Sequence, residues 1–479
     1  MSGLAGAVRY LLDLGPAVLM PALIALLGLL LGQGPAKSFR AGLTVGVGFV
    51  AIGLVVGLLV GVVGPQAMAF ADVLGLKLDV LDVGWPMGAA VSFASPIAAA
   101  LIPTVLLLNV VLVLAKVTRT VDVDLWNYWH FVYAGALVQA ATGSLGLGVA
   151  AACVTAVVVF KLADWTQPAV EKFFGLSGIS LPHTETVNWA PLMFALDRVA
   201  RRVPGLSSAD EGDPAAWKKR LGVLGEPILM GAMLGLLIGA LGAVPDIRAG
   251  RYGQSVKEIL TLSVSMAAVL VVLPKVVAIL MEGLIPISDG ARDYLHKKLP
   301  GRDAFIGLDA AVVIGHPANM AIALLCVPIA LVLALVLPGN RMLPFGDLAA
   351  LPFYVLWGVA AARGHMLRAL VNSVVILCGI LLIGTSLAPL TTELARAAHF
   401  DPQGLGAAAG RYTQWSGIAL GSHVVPWIVL QLFQPGTPGF YRGIGAAVIY
   451  GAAWWWARGE IRARFVEPAD VPPKREDRS

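Results

Sequence analysis

Stretches of about twenty apolar residues recur from one end of this chain to the other. That recurrence constrains the fold more than any other feature. Clear runs fall at 15–32, 41–63, 97–115, 145–160, 223–244, 259–281, 318–338, 366–388 and 438–456. Weaker runs at 128–142, 348–362 and 415–433 are shortened by polar residues. A helix can satisfy its own backbone hydrogen bonds where there is no water, so each run reads as a membrane-crossing element. Only 13% of the 479 residues are charged and the mean hydropathy is +0.81. Soluble domains carry about 25% charged residues. The pattern predicts an all-α polytopic membrane protein of about 11 transmembrane helices. Residues 1–460 read as one membrane-embedded domain, with no polar stretch long enough for a separate soluble domain, and 461–479 as a charged cytoplasmic tail.

The start, "MSGLAGAVRYLLDLG", lacks a basic leader and a small-residue cleavage site, so it reads as retained. Cys153, Cys326 and Cys378 sit in apolar runs, and their spacing suits neither a disulfide framework nor a zinc site. The net charge of +5 is modest and does not suggest nucleic-acid binding. Its placement reports orientation. Arg198, Arg201, Arg202, Lys218, Lys219 and Arg220 cluster in one loop, and the tail from Arg458 to Arg478 is also basic. Lys37 with Arg40, Lys116 with Arg119, and the stretch 291–302 add further positive loops. All are expected on the cytoplasmic side, with the C-terminus inside and the N-terminus outside. Arg248, Arg251 and Lys257 fit that assignment less well.

The chain repeats itself. "LGPAVLMPALIALLGLLLG" from Leu14 matches "LGEPILMGAMLGLLIGAL" from Leu224, at an offset of 210. "IAAALIPTVLLL" from Ile97 matches "IALLCVPIALVL" from Ile322 at 225, placing Pro103 on Pro328. "GISL" at 178 matches "GIAL" at 417, an offset of 239, with His183 and His423 following. Three matches in order predict a duplication, with a first repeat at about 10–200, a second at about 222–435 and a final helix at about 438–457. If each repeat has five spans, the two are inverted relative to one another. Substrate sites of such proteins lie where broken segments of the two halves meet.

Polar groups gather at a few places. "GISLPHTETVNWAP" holds His183, Glu185 and Asn188 between prolines. "LDVGWPMGAAVSFASP" holds Asp82, Trp85, Ser92 and Ser95, and its approximate mate "GLDAAVVIGHPANM" holds Asp309, His316 and Asn319. "DLWNYWHFVY" holds Trp126, Asn127, Trp129 and His130; "GSHVVPW" holds Ser422 and His423; Glu226 heads the second half. Each has an ordinary structural alternative. Tyr128 and Trp129 suit an interfacial belt, His130 a membrane surface, Glu226 a helix N-terminus and Asp82 an outer loop. Asp309 and His183 resist such readings, because ionisable groups in lipid mark pathways or sites by default. Asp, Glu, Asn and His supply the donors and acceptors that hydroxyls require, and tryptophan faces cover the C–H patches of a sugar or polyol. No Walker loop, HExxH, GxSxG or CxxC occurs, and no cofactor or metal is expected.

Over almost its whole length the sequence closely resembles the membrane-embedded IIC subunit of the galactitol branch of the bacterial phosphoenolpyruvate-dependent phosphotransferase system. The resemblance is carried by "RYLLDLGPAVLMP", "GLTVGVGFVAIGLVVGLL", "LDVGWP", "VDVDLWNYWHF", "GALVQAATGS", "KLADW", "FGLSG", "GISLPH", "GEPI", "FIGLDAAVVIGH" and "PGNRMLPFGDLA". The related fold of ascorbate-type IIC transporters implies eleven spans in two inverted five-span repeats, a scaffold domain carrying a homodimer contact, and a mobile core domain. It implies a polyol or sugar substrate, separate IIB and IIA chains at the cytoplasmic face, and a bacterial inner-membrane location. By the resemblance His183, Asp309, His316, Asn127 and His130 carry over as substrate-binding candidates, beside Glu185, Asp82, Trp85, Ser95, Glu226, Asn319 and His423 from the polar clusters. Thr184 and Glu185 stand after "PH", where the family pattern leads one to expect a small residue, so the expected substrate is galactitol or another polyol or sugar. The alternative is a cation-coupled permease on the same fold, using Asp309 or Glu185 as the ion site. An intramembrane enzyme built on His183 and Glu185 is disfavoured, because a two-residue spacing on a helix points side chains apart.

Overall fold

A computed structural model describes residues 16–73, 78–95, 97–124, 127–207, 226–298, 304–344, 346–398, 412–419 and 423–466. Trp126, Ser422, Lys218, Lys219, Arg220, Arg302 and the tail beyond 466 lie outside the described residues. The chain is helical almost throughout. Its first half runs α1 (Pro16–Leu30), α2 (Pro35–Val73), β1 (Val80–Asp82), α3 (Trp85–Ala94), α4 (Ala98–Leu114), β2 (Thr120–Asp122), α5 (Tyr128–Thr142), α6 (Leu145–Phe174), β3 (Ile179–Ser180), α7 (Thr184–Val187) and α8 (Ala190–Ala200). The second runs α9 (Pro227–Gly242), α10 (Val244–Arg248), α11 (Tyr252–Lys298), β4 (Phe305–Gly307), α12 (Ala311–Ile314), α13 (Pro317–Val336), β5 (Met342–Leu343), α14 (Leu351–Tyr354), α15 (Leu356–Ala361), α16 (Met366–Ala397), β6 (Gln414–Ser416), α17 (Val424–Leu432) and α18 (Pro438–Ile461). The two halves follow nearly the same order of elements.

Four helices among the described residues are long and apolar enough to cross a membrane: Leu145–Phe174, Tyr252–Val272, Pro317–Val336 and Met366–Ala397, with shorter apolar helices at Ala100–Leu114 and Gly231–Gly242. The predicted runs at 15–32, 97–115, 223–244 and 318–338 correspond closely to α1, α4, α9 and α13. The run at 259–281 is only part of α11, whose 47 residues make a helix about 70 Å long. The weak run at 128–142 is the single helix α5, whereas 348–362 and 415–433 are broken. The first breaks into short helical turns and the second into strand β6 and α17.

Helices α1, α2, α9 and α11 pack on one another. Gly231, Gly235 and Gly239 recur every four residues and so share one face of α9. A Cβ on Gly231 would lie 2.6 Å from the Ala267 Cα, and one on Gly235 2.5 Å from the Ser263 Cα, both on α11. This small-residue stripe brings the two backbones together where lipid provides no hydrophobic drive for helix association.

The strands were not expected from hydropathy. β5–β1–β6 and β2–β4–β3 form two three-stranded parallel sheets, and each draws its central strand from one half of the chain and its flanking strands from the other. The hydrogen bonds correspond. Phe305 N donates to Arg119 O and Val80 N to Arg341 O; Val123 N to Gly307 O and Gly346 N to Asp82 O; Leu308 N to Ser180 O and Val83 N to Ser416 O. This register sets Ser180 on Ser416, an offset of 236, so the "GISL" and "GIAL" alignment at 239 is three residues out. It also sets Asp82 on Gly307, two residues before Asp309.

Helix α5 lies inside the bundle, buried from Tyr128 to Val138, so Tyr128 and Trp129 are core residues and not an interfacial belt. At one end of the bundle, buried Asp197 on α8 meets Arg368 at 3.0 Å, Arg464 at 3.1 Å and Arg201 at 3.3 Å, and Arg198 meets Glu460 at 3.3 Å. Arg198 and Arg201 at the end of α8 therefore lie beside Glu460 on α18 and Arg464 just beyond it.

Candidate functional site

The loops leaving the C-terminal ends of β2, β3 and β4 converge. Beyond β2 come Asn127 and His130, beyond β3 His183 and Glu185, and beyond β4 Asp309. The approach is close: a Cβ on Gly307 would sit 2.8 Å from Pro182 and 2.9 Å from the Asp122 Cα. His183 is extended (φ −91°, ψ 110°) before the single turn of α7, the kind of break that survives at membrane depth only where protein or water satisfies the backbone.

Every polar group here is buried. His130 Nε2 lies 3.0 Å from Glu185 Oε1, and its Nδ1 lies 3.2 Å from the carbonyl oxygen of Asn127. The His130 and His183 rings meet edge to face, with centroids 4.8 Å apart. His183 Nε2 stands 3.1 Å from Asp309 Oδ2, within ion-pair reach but outside hydrogen-bond alignment. Asp309 is itself held: its Oδ1 accepts from Ala311 N at 2.6 Å, and its N–H donates to Asp124 Oδ2 at 3.0 Å. Asn127 Nδ2 donates to Asp122 Oδ1 at 3.0 Å. On the other side, Trp189 Nε1 donates to His423 Nδ1 at 3.0 Å, which leaves His423 Nε2 as the protonated nitrogen of a neutral ring. His130, Glu185 and His423 line one small cavity with Trp129, Tyr133, Thr184, Ala419 and Pro426.

Buried polar atoms in native proteins are nearly always paired. Here His183 Nδ1, Thr184 Oγ1, Asn127 Oδ1, Asp122 Oδ2 and His423 Nε2 have no protein partner. Such a set of donors and acceptors can receive the hydroxyls of a small polar molecule. Ligand atoms of His130, His183 and Glu185 also lie within 4.8 Å of one another, a spacing that could hold a metal cation.

Other candidates are placed elsewhere or tied up in the frame. Asp82 Oδ1 accepts from Gly84 N at 3.0 Å and Ile418 N at 3.3 Å, and its Oδ2 from Asp347 N at 3.1 Å. Trp85 N donates to Asp347 Oδ1 at 2.9 Å. Ser95 Oγ accepts from Ile97 N at 3.4 Å. Asn319 Nδ2 donates to Ile314 O and Pro352 O, stitching α12 to α14. His316 packs its ring 4.6 Å from Phe173 and 5.5 Å from Phe174. Glu226 is exposed at the N-terminus of α9. Asn188 Oδ1 accepts from Val424 N, and its carbonyl accepts from the Tyr450 hydroxyl, joining α7, α17 and α18.

Sequence reasoning passed over Tyr133 and Asp347, and took Thr184 only as a departure from the family pattern. Tyr133 stands three residues after His130 and so shares its helix face, a usable signal. Asp347 could have been found by laying "PFGDL" on "VDVDL", which sets it opposite Asp124.

A model of the family described as "PTS system sugar-specific permease component" matches residues 10–404. The chain is 38% identical over 471 residues to the "PTS system galactitol-specific EIIC component" of Escherichia coli (strain K12), covering 97% of this chain and 99% of that protein. The protein of the same description from Escherichia coli O157:H7 matches with the same figures. With a match along nearly the full length of both proteins, a largely helical structure and several membrane-length apolar helices, the chain belongs to the sugar-specific permease component family of the phosphotransferase system.

Proposed function

We propose that this chain binds and translocates galactitol, or a polyol close to it, and presents it at the cytoplasmic face to a separate IIB chain that phosphorylates it. The observation that carries the reading is the buried set of unpaired donors and acceptors around His183, Asp309, His130 and Glu185, in a chain so similar to a galactitol-specific EIIC component. A neutral polyol offers hydroxyls to such a set without bringing a charge into a buried site. His183, Asp309, Asn127, His130, Glu185 and His423 receive the substrate. Asp82, Trp85 and Asn319 hold the frame around it.

The chain works as eleven spans in two inverted five-span repeats, with α1, α2, α9 and α11 as a dimer-forming scaffold and the remaining elements as a mobile core. The core slides against the scaffold to expose the site alternately to each side. The corresponding hydrogen bonds of the two sheets and the glycine-mediated packing of α9 on α11 support this reading. The arginine cluster around Asp197 and Glu460 lies on the cytoplasmic side of a bacterial inner membrane, with the C-terminus, and a IIA chain recharges IIB. Phosphorylation adds about −1.5 to −2 charges at pH 7, which lowers affinity for a pocket built for a neutral molecule and retains the product inside.

The test is phosphorylation of a panel of polyols by vesicles carrying the protein, with and without phosphorylated IIB. Galactitol or a near stereoisomer should be phosphorylated only when IIB is present. Uptake of free polyol driven by a proton or sodium gradient without IIB would overturn the reading in favour of a cation-coupled permease.

A further inference from the structure

We infer that Glu185, with His130 behind it, is the base that takes the hydroxyl proton when the bound polyol receives its phosphoryl group. The inference rests on the function proposed above. It starts from an arrangement of hydrogens that the heavy atoms dictate. A carbonyl oxygen only accepts, so the 3.2 Å contact between His130 Nδ1 and Asn127 O places a proton on Nδ1. His130 Nε2 and Glu185 Oε1 then face each other at 3.0 Å. With a bare imidazole nitrogen against a bare carboxylate, two lone pairs would meet in a buried place. One proton between them removes the conflict, as imidazolium with carboxylate or as imidazole with carboxylic acid.

Either form of the pair can take up one further proton, and both then end as imidazolium with carboxylic acid. If the pair starts as imidazole and acid, Glu185 passes its own proton to His130 Nε2 while its carboxyl group receives the one from the substrate. If it starts as imidazolium and carboxylate, Glu185 receives the proton directly. Both residues line the cavity, and the Trp129 ring stacked 3.8 Å from that of His130 fixes its plane. Asn127 is a positioning residue, acting through its main-chain carbonyl.

The step balances. The substrate O–H bond breaks and an O–P bond forms. The S–P bond of a phosphocysteine on IIB breaks, and the thiolate leaves with the electron pair. The hydroxyl proton goes to the His130–Glu185 pair, and no oxidant or reductant is involved. The cation left on His130 then neighbours the new phosphate dianion, which favours the transfer.

His183 stands differently. Its Nδ1 is an unpartnered buried atom and its Nε2 faces Asp309, so it is assigned to holding the substrate. The two assignments separate in one experiment on the full-length protein in vesicles, measuring galactitol affinity and the single-turnover phosphorylation rate with phosphorylated IIB. Glu185→Gln keeps the size and can still hydrogen-bond His130, but cannot take up the proton. The rate should fall by about 10²–10⁴-fold, the range of general-base catalysis, and by far more than affinity falls, since the amide still hydrogen-bonds a substrate hydroxyl. His130→Gln should also lower the rate by more than it lowers affinity. A Glu185→Gln rate within fivefold of wild type overturns the inference, and so does a loss of binding that accounts for the whole rate change. Stoichiometric metal in the purified wild type that disappears in Glu185→Gln overturns it too, since the pair would then be a ligand set. None of these outcomes touches the proposed function. That fails separately, if wild-type protein with IIB phosphorylates no polyol.

Discussion

The two small sheets are built alike and equipped differently. In both, a carboxylate beyond a flanking strand accepts from the backbone just past the central strand: Asp124 Oδ2 from Asp309 N at 3.0 Å, Asp347 Oδ1 from Trp85 N at 2.9 Å. Ser180 in one sheet is equivalent in register to Ser416 in the other, and Arg119 to Arg341. Three residues past the matched serines, however, are His183 in one sheet and Ala419 in the other. At the register position of Asp309, 225 residues earlier, stands Gly84, with φ 77° and a Cβ position only 3.1 Å from the Gly346 carbonyl oxygen. The frame is common to both sheets, and His183 and Asp309 stand at one of them where Ala419 and Gly84 stand at the other. Two sheets of like build can thus carry unlike side chains at equivalent positions.

The comparison breaks most easily at the frame. Asp347 accepts from Trp85 N at 2.9 Å and from Ala419 N at 2.8 Å, so Asp347→Ala removes the acceptor of both bonds. At about 1–3 kcal/mol for each lost acceptor, stability should fall by up to about 6 kcal/mol, read as a lowered unfolding midpoint in detergent. Unchanged thermal stability would show that the carboxylate does not hold the frame.

On the equipped side, His183→Ala should weaken galactitol binding by about a hundredfold or more, roughly 2.7 kcal/mol, with the protein still folded. Calorimetry on the purified variant decides it, and normal affinity would remove His183 from the site. Asp309→Asn keeps the size and loses the charge. A fall of about tenfold, or 1.4 kcal/mol, is expected in the same measurement, and equal affinity would mean that its charge serves only the frame. The smallest effect should come from Ala419→Ser, opposite His183. Ala419 lines the cavity, but its side chain offers no hydrogen bond, so affinity should change by less than about threefold. A large loss there would show that both halves grip the substrate equally.

Much of the candidate site was legible from residue chemistry. His183, Glu185, Asp309 and His130 are ionisable groups within or beside apolar runs, and lipid makes such groups costly unless they have a task. The same reasoning allowed Asp82 a place in an outer loop, whereas the structure buries it. Asp82 and Asp309 are both buried carboxylates at or just past the end of a short strand, yet Asp82 accepts three backbone N–H groups while Asp309 keeps Oδ2 toward His183. Which atoms a carboxylate faces depends on segments hundreds of residues away, and no local pattern records it.

By itself the sequence determined the membrane environment, the helical character, the ordered internal similarity and the family, because apolar length and motif order are properties of the linear chain. Only the tertiary structure decided that strands of one half pair with those of the other, that the third match sits at 236 and not 239, and that Tyr128 and Trp129 are buried. The reason is physical. A strand of two or three residues has no periodicity to read, and its partners lie more than a hundred residues away. Aromatic rings near a span end carry the same letters whether they face lipid headgroups or a packed core.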